Sequence, residues 1–115
     1  MSKEPAEYLK HILDECSYIL YPTHSLSEDD FLHDETLKRA VSRSLEIIGE
    51  ATKKVPPEFK AKWTSIEWKN MAGLRDRLIH DYMGINYAII WDLLKNKIPY
   101  LNKQIIGIIE RIDPL

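Results

Sequence analysis

Between positions 75 and 82 the chain reads Arg75-Asp76-Arg77-Leu78-Ile79-His80-Asp81-Tyr82, and its side-chain types suit work on a phosphodiester. Histidine as a residue type can exchange a proton near neutral pH, so His80 could take one from a 2′-hydroxyl or give one to a leaving oxygen. The Arg75 guanidinium can hold a phosphate with two parallel hydrogen bonds and offset the charge that builds on it. The Tyr82 hydroxyl can donate to a phosphate oxygen or position a substrate. Asp76 can accept a hydrogen bond from one imidazole N–H, which fixes the tautomer and raises basicity. This chemistry requires neither a metal nor an organic cofactor.

Helical spacing decides which of these residues can cooperate. Asp76 and His80 are four apart and share a face, and Arg75 and Tyr82, seven apart, lie nearly in line. Arg75 and His80 stand about 140° apart around a helix. They converge only if the helix end loosens near His80 or a second subunit completes the site. By type and spacing alone, the same residues also fit a solvated ion-pair face with an aromatic near the core.

The elements that must carry this segment are helical. Leu9, Ile12, Leu13, Cys16, Ile19 and Leu20 form one apolar stripe, opened by Pro5 and predicted to end at Tyr21-Pro22. Ser27, followed by Glu28, Asp29 and Asp30, reads as a capped start for a second helix running to about Lys54. Its stripe comprises Leu37, Val41, Leu45, Ile48 and Val55, with small residues Ala40, Ser44, Gly49 and Ala51 beside it. Lys53 and Lys54 suit the negative end of that helix dipole. Val55-Pro56-Pro57 is a break, Glu58 to Trp63 allows one short turn, and a third main helix is predicted from roughly Ile66 to Asp81. Its inward residues are Met71, Leu74 and Leu78. A further helix carries Ile85, Ile89, Leu93 and Leu94, and a last segment from Pro99 carries Leu101, Ile105, Ile109 and Ile112 at near-heptad spacing. With no period-two strand in view, the expected fold is all-α: one domain over residues 1–115, an antiparallel bundle of four or five helices.

Composition sets the outer limits. At 115 residues, with 44% hydrophobic and 30% charged, the chain can bury one core and resembles an ordinary globular protein. A net charge of −2 argues against bulk attraction to nucleic acid, yet leaves room for a local basic groove. The single cysteine, Cys16, excludes an internal disulfide and reads as a small buried apolar residue in a reducing compartment. No secretory signal is visible, and no apolar run approaches the roughly 20 residues that span a bilayer. The expectation is a cytoplasmic protein with no membrane contact.

Against this background, Arg75-x4-His80-x-Tyr82 resembles the Arg-x(4–6)-His-x-Tyr signature of HepT toxins in the HEPN superfamily. Asp76 fits as the polar residue that commonly follows the arginine. Arg39-Ala40-Val41 with Leu45-Glu46-Ile47-Ile48-Gly49-Glu50-Ala51 is similar to the family's second-helix block. Trp68-Lys69-Asn70-Met71-Ala72-Gly73-Leu74 is similar to the lead-in, and Trp91 and Pro99-Tyr100-Leu101 to the helices that follow. Glu67 departs from the pattern, which usually has proline before the tryptophan. The resemblance implies a HEPN-like homodimer whose two motif helices line a cleft, and a metal-independent endoribonuclease toxin acting on tRNA or mRNA. It implies Arg75, His80 and Tyr82 as catalytic residues with Asp76 in support. It also implies a minimal nucleotidyltransferase antitoxin that transfers AMP from ATP to Tyr82. The alternative within the same resemblance is a non-catalytic HEPN binding module that partners a nucleotidyltransferase.

Other polar residues read more plainly. Asp34, Arg39 and Glu50 suit surface ion pairs or bridges between helices, and Lys38, Arg39 and Arg43 a solvated basic face. His11, His24 and His33 lack partners at metal-ligand spacing. Trp63, Trp68 and Trp91 could stack on bases, but at segment ends of a small bundle they read as core plugs.

Overall fold

A computed structural model describes the backbone of residues 5–80 and 85–112, with the side chains of those residues other than Arg75, Ile79 and His80. Among the described residues every element is a helix: α1 (Pro5–Thr23), α2 (Glu28–Leu32), α3 (Glu35–Lys54), α4 (Pro57–Lys62), α5 (Trp68–His80), α6 (Tyr87–Asn96) and α7 (Ile98–Ile112). The two short ones, α2 and α4, leave five longer helices, as the periodicity predicts. No helix among the described residues is long and apolar enough to cross a membrane.

The first stripe folds as read, with Leu9, Ile12, Cys16 and Ile19 all buried. Helix α1 runs one residue beyond the predicted stop at Tyr21-Pro22. Pro22 lies inside the last turn of α1, where its missing N–H removes a single backbone bond. The Thr23 hydroxyl donates to the Ile19 carbonyl at 2.6 Å, and Lys95 Nζ from α6 donates to the Thr23 carbonyl at 2.9 Å. The Lys95 contact adds to the Leu26 N–H in serving a carbonyl that the helix end leaves without an intrahelical partner.

Ser27 caps α2 as expected, through a reciprocal box with Asp30. The expected continuous helix from there to Lys54 is not one helix but two. It breaks at His33, and Asp34 opens α3 by accepting the Leu37 N–H at 2.9 Å. Asp34 is therefore a helix cap, not the ion-pair partner its charge suggested. The break lets Phe31 turn fully into the core, 5.4 Å from the Trp91 ring and 6.4 Å from Tyr87. Burying such a side chain stabilises the fold by roughly 1.5–3 kcal/mol.

The core follows from α3, which packs on α1 on one side and α5 on the other; α1 packs in turn on α7, and α7 on α6. Val41, Leu45 and Ile48 of α3 are buried along with Ser44, Gly49 and Ala51. Pro56 and Pro57 end α3 and start α4. Two other stripes are rotated from the expected phase. In α6 the buried residues are Ile90 and Leu94, while Ile89 is 46% exposed and Leu93 half-buried. In α7 they are Ile98, Leu101, Ile105 and Ile108, so Ile109 is half-buried and Ile112 exposed. In both helices a step of four fits two adjacent stripes equally well. The helix must choose the one that its neighbours cover.

Candidate active site

The segment of interest occupies the C-terminal half of α5. Helix α5 begins at Trp68, two residues after the expected start at Ile66. The Glu67 carbonyl accepts the Met71 N–H at 3.0 Å, and the Trp68 indole donates to the Trp63 carbonyl at 2.9 Å. Glu67 thus serves the helix start through its backbone, while its carboxylate lies 3.7 Å from Lys97. Met71 and Leu74 are buried and Leu78 half-buried, which fixes the face that α5 turns to α3.

The backbone of α5 carries both Arg75 and His80 as helical residues, five apart, and so about 140° apart around the axis. Their side chains, and the whole of Tyr82, lie outside the described residues. Asp76 is described. Lys53 Nζ donates to both of its carboxylate oxygens, at 2.7 and 2.9 Å. At the C-terminus of α3, Lys53 complements the helix dipole. The fold adds a tertiary role, tying the last turn of α3 to the motif helix. That contact spans 23 residues of sequence, and no local spacing announces it.

Two more polar residues stand beside this segment. Arg77 is exposed, and among the described residues it has no ion pair or hydrogen bond. Asn86 caps α6, its side-chain oxygen accepting the N–H groups of Ala88 and Ile89 at 3.0 and 3.3 Å. Between them opens a groove walled by Leu45 of α3, Leu74 and Leu78 of α5, and Ile89, Ile90 and Leu93 of α6. It holds about 490 Å³ of space, its solvent mouth included. Nothing in the spacing along α5 assigns Arg77 a role. Only the rotation of α6, which brings Ile89 to the surface, makes Arg77 the rim of something.

The remaining candidates behave as structural residues. Lys38 pairs with Glu35 at 2.9 Å and lies over the Tyr87 ring, and Arg43 pairs with Glu46 at 3.1 Å. The hydrogen bond from Lys38 holds the Glu35 carboxyl below its usual range. Trp68 is buried; Trp63 packs on Phe59 and Trp91 on Phe31, with Arg111 and Lys95 over their respective rings. His11, His24 and His33 are exposed, and among the described residues no three His, Cys, Asp or Glu side chains gather as a metal site. Cys16 is fully buried, and burial pushes its thiol up to about 12.

Comparison with known proteins gives this geometry a setting. A family model described as Ribonuclease HepT-like matches residues 6–108. A protein of Caldanaerobacter subterraneus subsp. tengcongensis, named "Putative RNase", is 48% identical over 95% of this chain and 97% of its own length. One of Methanocaldococcus jannaschii with the same style of name is 46% identical over 96% of this chain and 92% of the relative. A protein of Thermococcus cleftensis named "Probable ribonuclease HepT" is 40% identical over 88% of this chain and 92% of the relative. No solved structure matches the chain.

Proposed function

Because the chain belongs to the Ribonuclease HepT-like family, and so to the endoribonucleases, we propose that it is the toxin of a toxin–antitoxin pair. In this reading it cuts tRNA or mRNA, with Arg75, His80 and Tyr82 as the working residues and Asp76 in support. The observation that carries the reading is the family match across α3 and α5, the two packed helices whose Lys53–Asp76 contact anchors the Arg75–His80 segment.

The reaction follows from the residue types. The 2′-hydroxyl gives its proton to the His80 imidazole as its oxygen bonds to phosphorus. The bond from phosphorus to the 5′-oxygen breaks, and that oxygen takes a proton from a second imidazolium. The products are a 2′,3′-cyclic phosphate and a 5′-hydroxyl. Arg75 offsets the charge on the phosphate oxygens, and Tyr82 donates to one of them. One histidine cannot be base and acid in the same step. Together with the roughly 140° between Arg75 and His80, that need favours a homodimer with two α5 helices across one cleft. Side chains supply every proton and charge, so cleavage proceeds without a metal.

Control falls to Tyr82. A minimal nucleotidyltransferase antitoxin joins the tyrosyl oxygen to the α-phosphorus of ATP, and pyrophosphate leaves. The resulting AMP group sets a bulky anion beside the phosphate-binding groups and blocks RNA by occupancy and repulsion.

The test is RNA cleavage by purified protein beside His80→Ala and Arg75→Ala, with and without EDTA. The expected result is a loss of about 100-fold or more in each variant, unchanged by the chelator. Equal cleavage by all three proteins would overturn the reading.

A further inference from the structure

Arg77 sits three residues before His80 on α5, so the two backbone positions are about 60° apart around the helix. Arg75, by contrast, stands about 140° from His80. Of the two arginines in this stretch of α5, Arg77 is therefore the one nearer His80 around the helix. Lys53, the nearby cation of α3, is engaged by Asp76, whereas Arg77 meets no carboxylate among the described residues. An exposed guanidinium without a counter-ion is free to pair with an anion supplied from outside.

The groove behind it suits what would come attached to that anion. Its walls are aliphatic, from Leu45, Leu74, Leu78, Ile90 and Leu93, with Ile89 at the exposed lip. Asn86 stands at the same mouth. Its side-chain oxygen is used on the α6 N–H groups, which leaves its amide N–H bonds as donors. A flat apolar ring with acceptor atoms on its edge, joined to a phosphate, meets all three features. A nucleotide of single-stranded RNA has that form, because its base can leave the stack.

We propose that the groove between α3, α5 and α6 seats the nucleobase of a nucleotide flanking the cleaved bond, with Arg77 holding that nucleotide's phosphate. This rests on the ribonuclease reading above and adds a binding subsite to it. Arg77 and Ile89 then set how tightly the RNA is held next to His80, and Asn86 biases which base is accepted.

The experiment measures anisotropy of a labelled single-stranded RNA of mixed sequence, methylated at its 2′-oxygens so that it is not cut, across a salt series. Arg77→Gln should weaken binding roughly tenfold and lower the slope of log affinity against log salt by about 0.7, one phosphate contact. Arg77→Lys should keep the slope. Ile89→Ser should weaken binding several-fold with the slope unchanged, since it removes only apolar contact. Both positions are exposed, and melting curves matching the parent confirm that the variants are folded. Parent affinity and slope in Arg77→Gln, or parent affinity in Ile89→Ser, would overturn the subsite. Cleavage of an unmodified RNA separates the two claims. Undiminished cleavage by His80→Ala sinks the ribonuclease reading, whereas an inactive His80→Ala beside an unaffected Arg77→Gln sinks the subsite alone.

Discussion

Lys53 Nζ lies 2.7 Å from one carboxylate oxygen of Asp76 and 2.9 Å from the other, joining the last turn of α3 to the middle of α5. The two side chains are 39% and 47% exposed, so water screens their attraction. Such a pair contributes at most about 1 kcal/mol. Its consequence is positional. It ties α5 to α3 one residue after Arg75 and four before His80, and on the reading proposed above a small rotation there would turn either group away from a bound phosphate.

Lys53→Met should therefore cost up to about 1 kcal/mol of stability in urea denaturation. RNA cleavage should fall several-fold at a temperature where the variant remains fully folded. The loss should appear in kcat more than in KM, because on the proposed reading the contact positions groups that act in the transition state. Lys53→Arg, which can still bond both oxygens, should recover most of the rate. A parent-like kcat in Lys53→Met would show that the pair is an ordinary surface contact.

Asp34 carries a different kind of prediction, because its importance is local. Its carboxylate accepts the Leu37 N–H at 2.9 Å, and Asp34→Ala leaves that donor at the start of α3 without its cap. The expected cost is about 1 kcal/mol in the denaturation midpoint. Asp34→Asn should recover most of it, because an amide oxygen caps nearly as well. RNA cleavage at low temperature should be unchanged in both, since the cap lies at the end of α3 away from Lys53. A loss in Asp34→Asn as large as in Asp34→Ala would mean that the charge, and not the cap, is what matters.

What could be read from the sequence follows from the range of each interaction. The Ser27 box, the proline break at Pro56 and the stripe of α1 depend on residues within one or two turns, and they fold as read. The split at Asp34 escaped because no proline or glycine stands between Ser27 and Leu37 to mark it. The contacts of Phe31 with Tyr87 and Trp91, which reward the break, are tertiary. The phase of α6 escaped for a related reason. Ile85, Ile89 and Leu93 form one ladder and Ile90 and Leu94 another, and only packing selects between them. Within the candidate site, Arg75, Asp76 and His80 were legible as residue types on one helix. The partnership of Asp76 with Lys53, and the groove beside Arg77, needed the fold.

Cys16 gives the pH prediction. It is fully buried on α1, and desolvation, with a smaller push from Glu15, raises its thiol from 9.0 to about 12. In the unfolded chain the thiol ionises near its ordinary value, so between 9.0 and about 12 the unfolded state holds fewer protons than the folded one. Stability therefore falls as pH rises through that window, and the contribution is present in full below it. Urea denaturation at neutral pH and at about pH 10 should show a steeper loss for the parent than for Cys16→Ala, which lacks the ionising group. A thiol-specific disulfide reagent should label the folded protein only as fast as it opens, and label it at once in denaturant. Equal pH slopes in parent and variant, or rapid labelling of the folded chain, would mean that the thiol is not sealed in the α1 stripe.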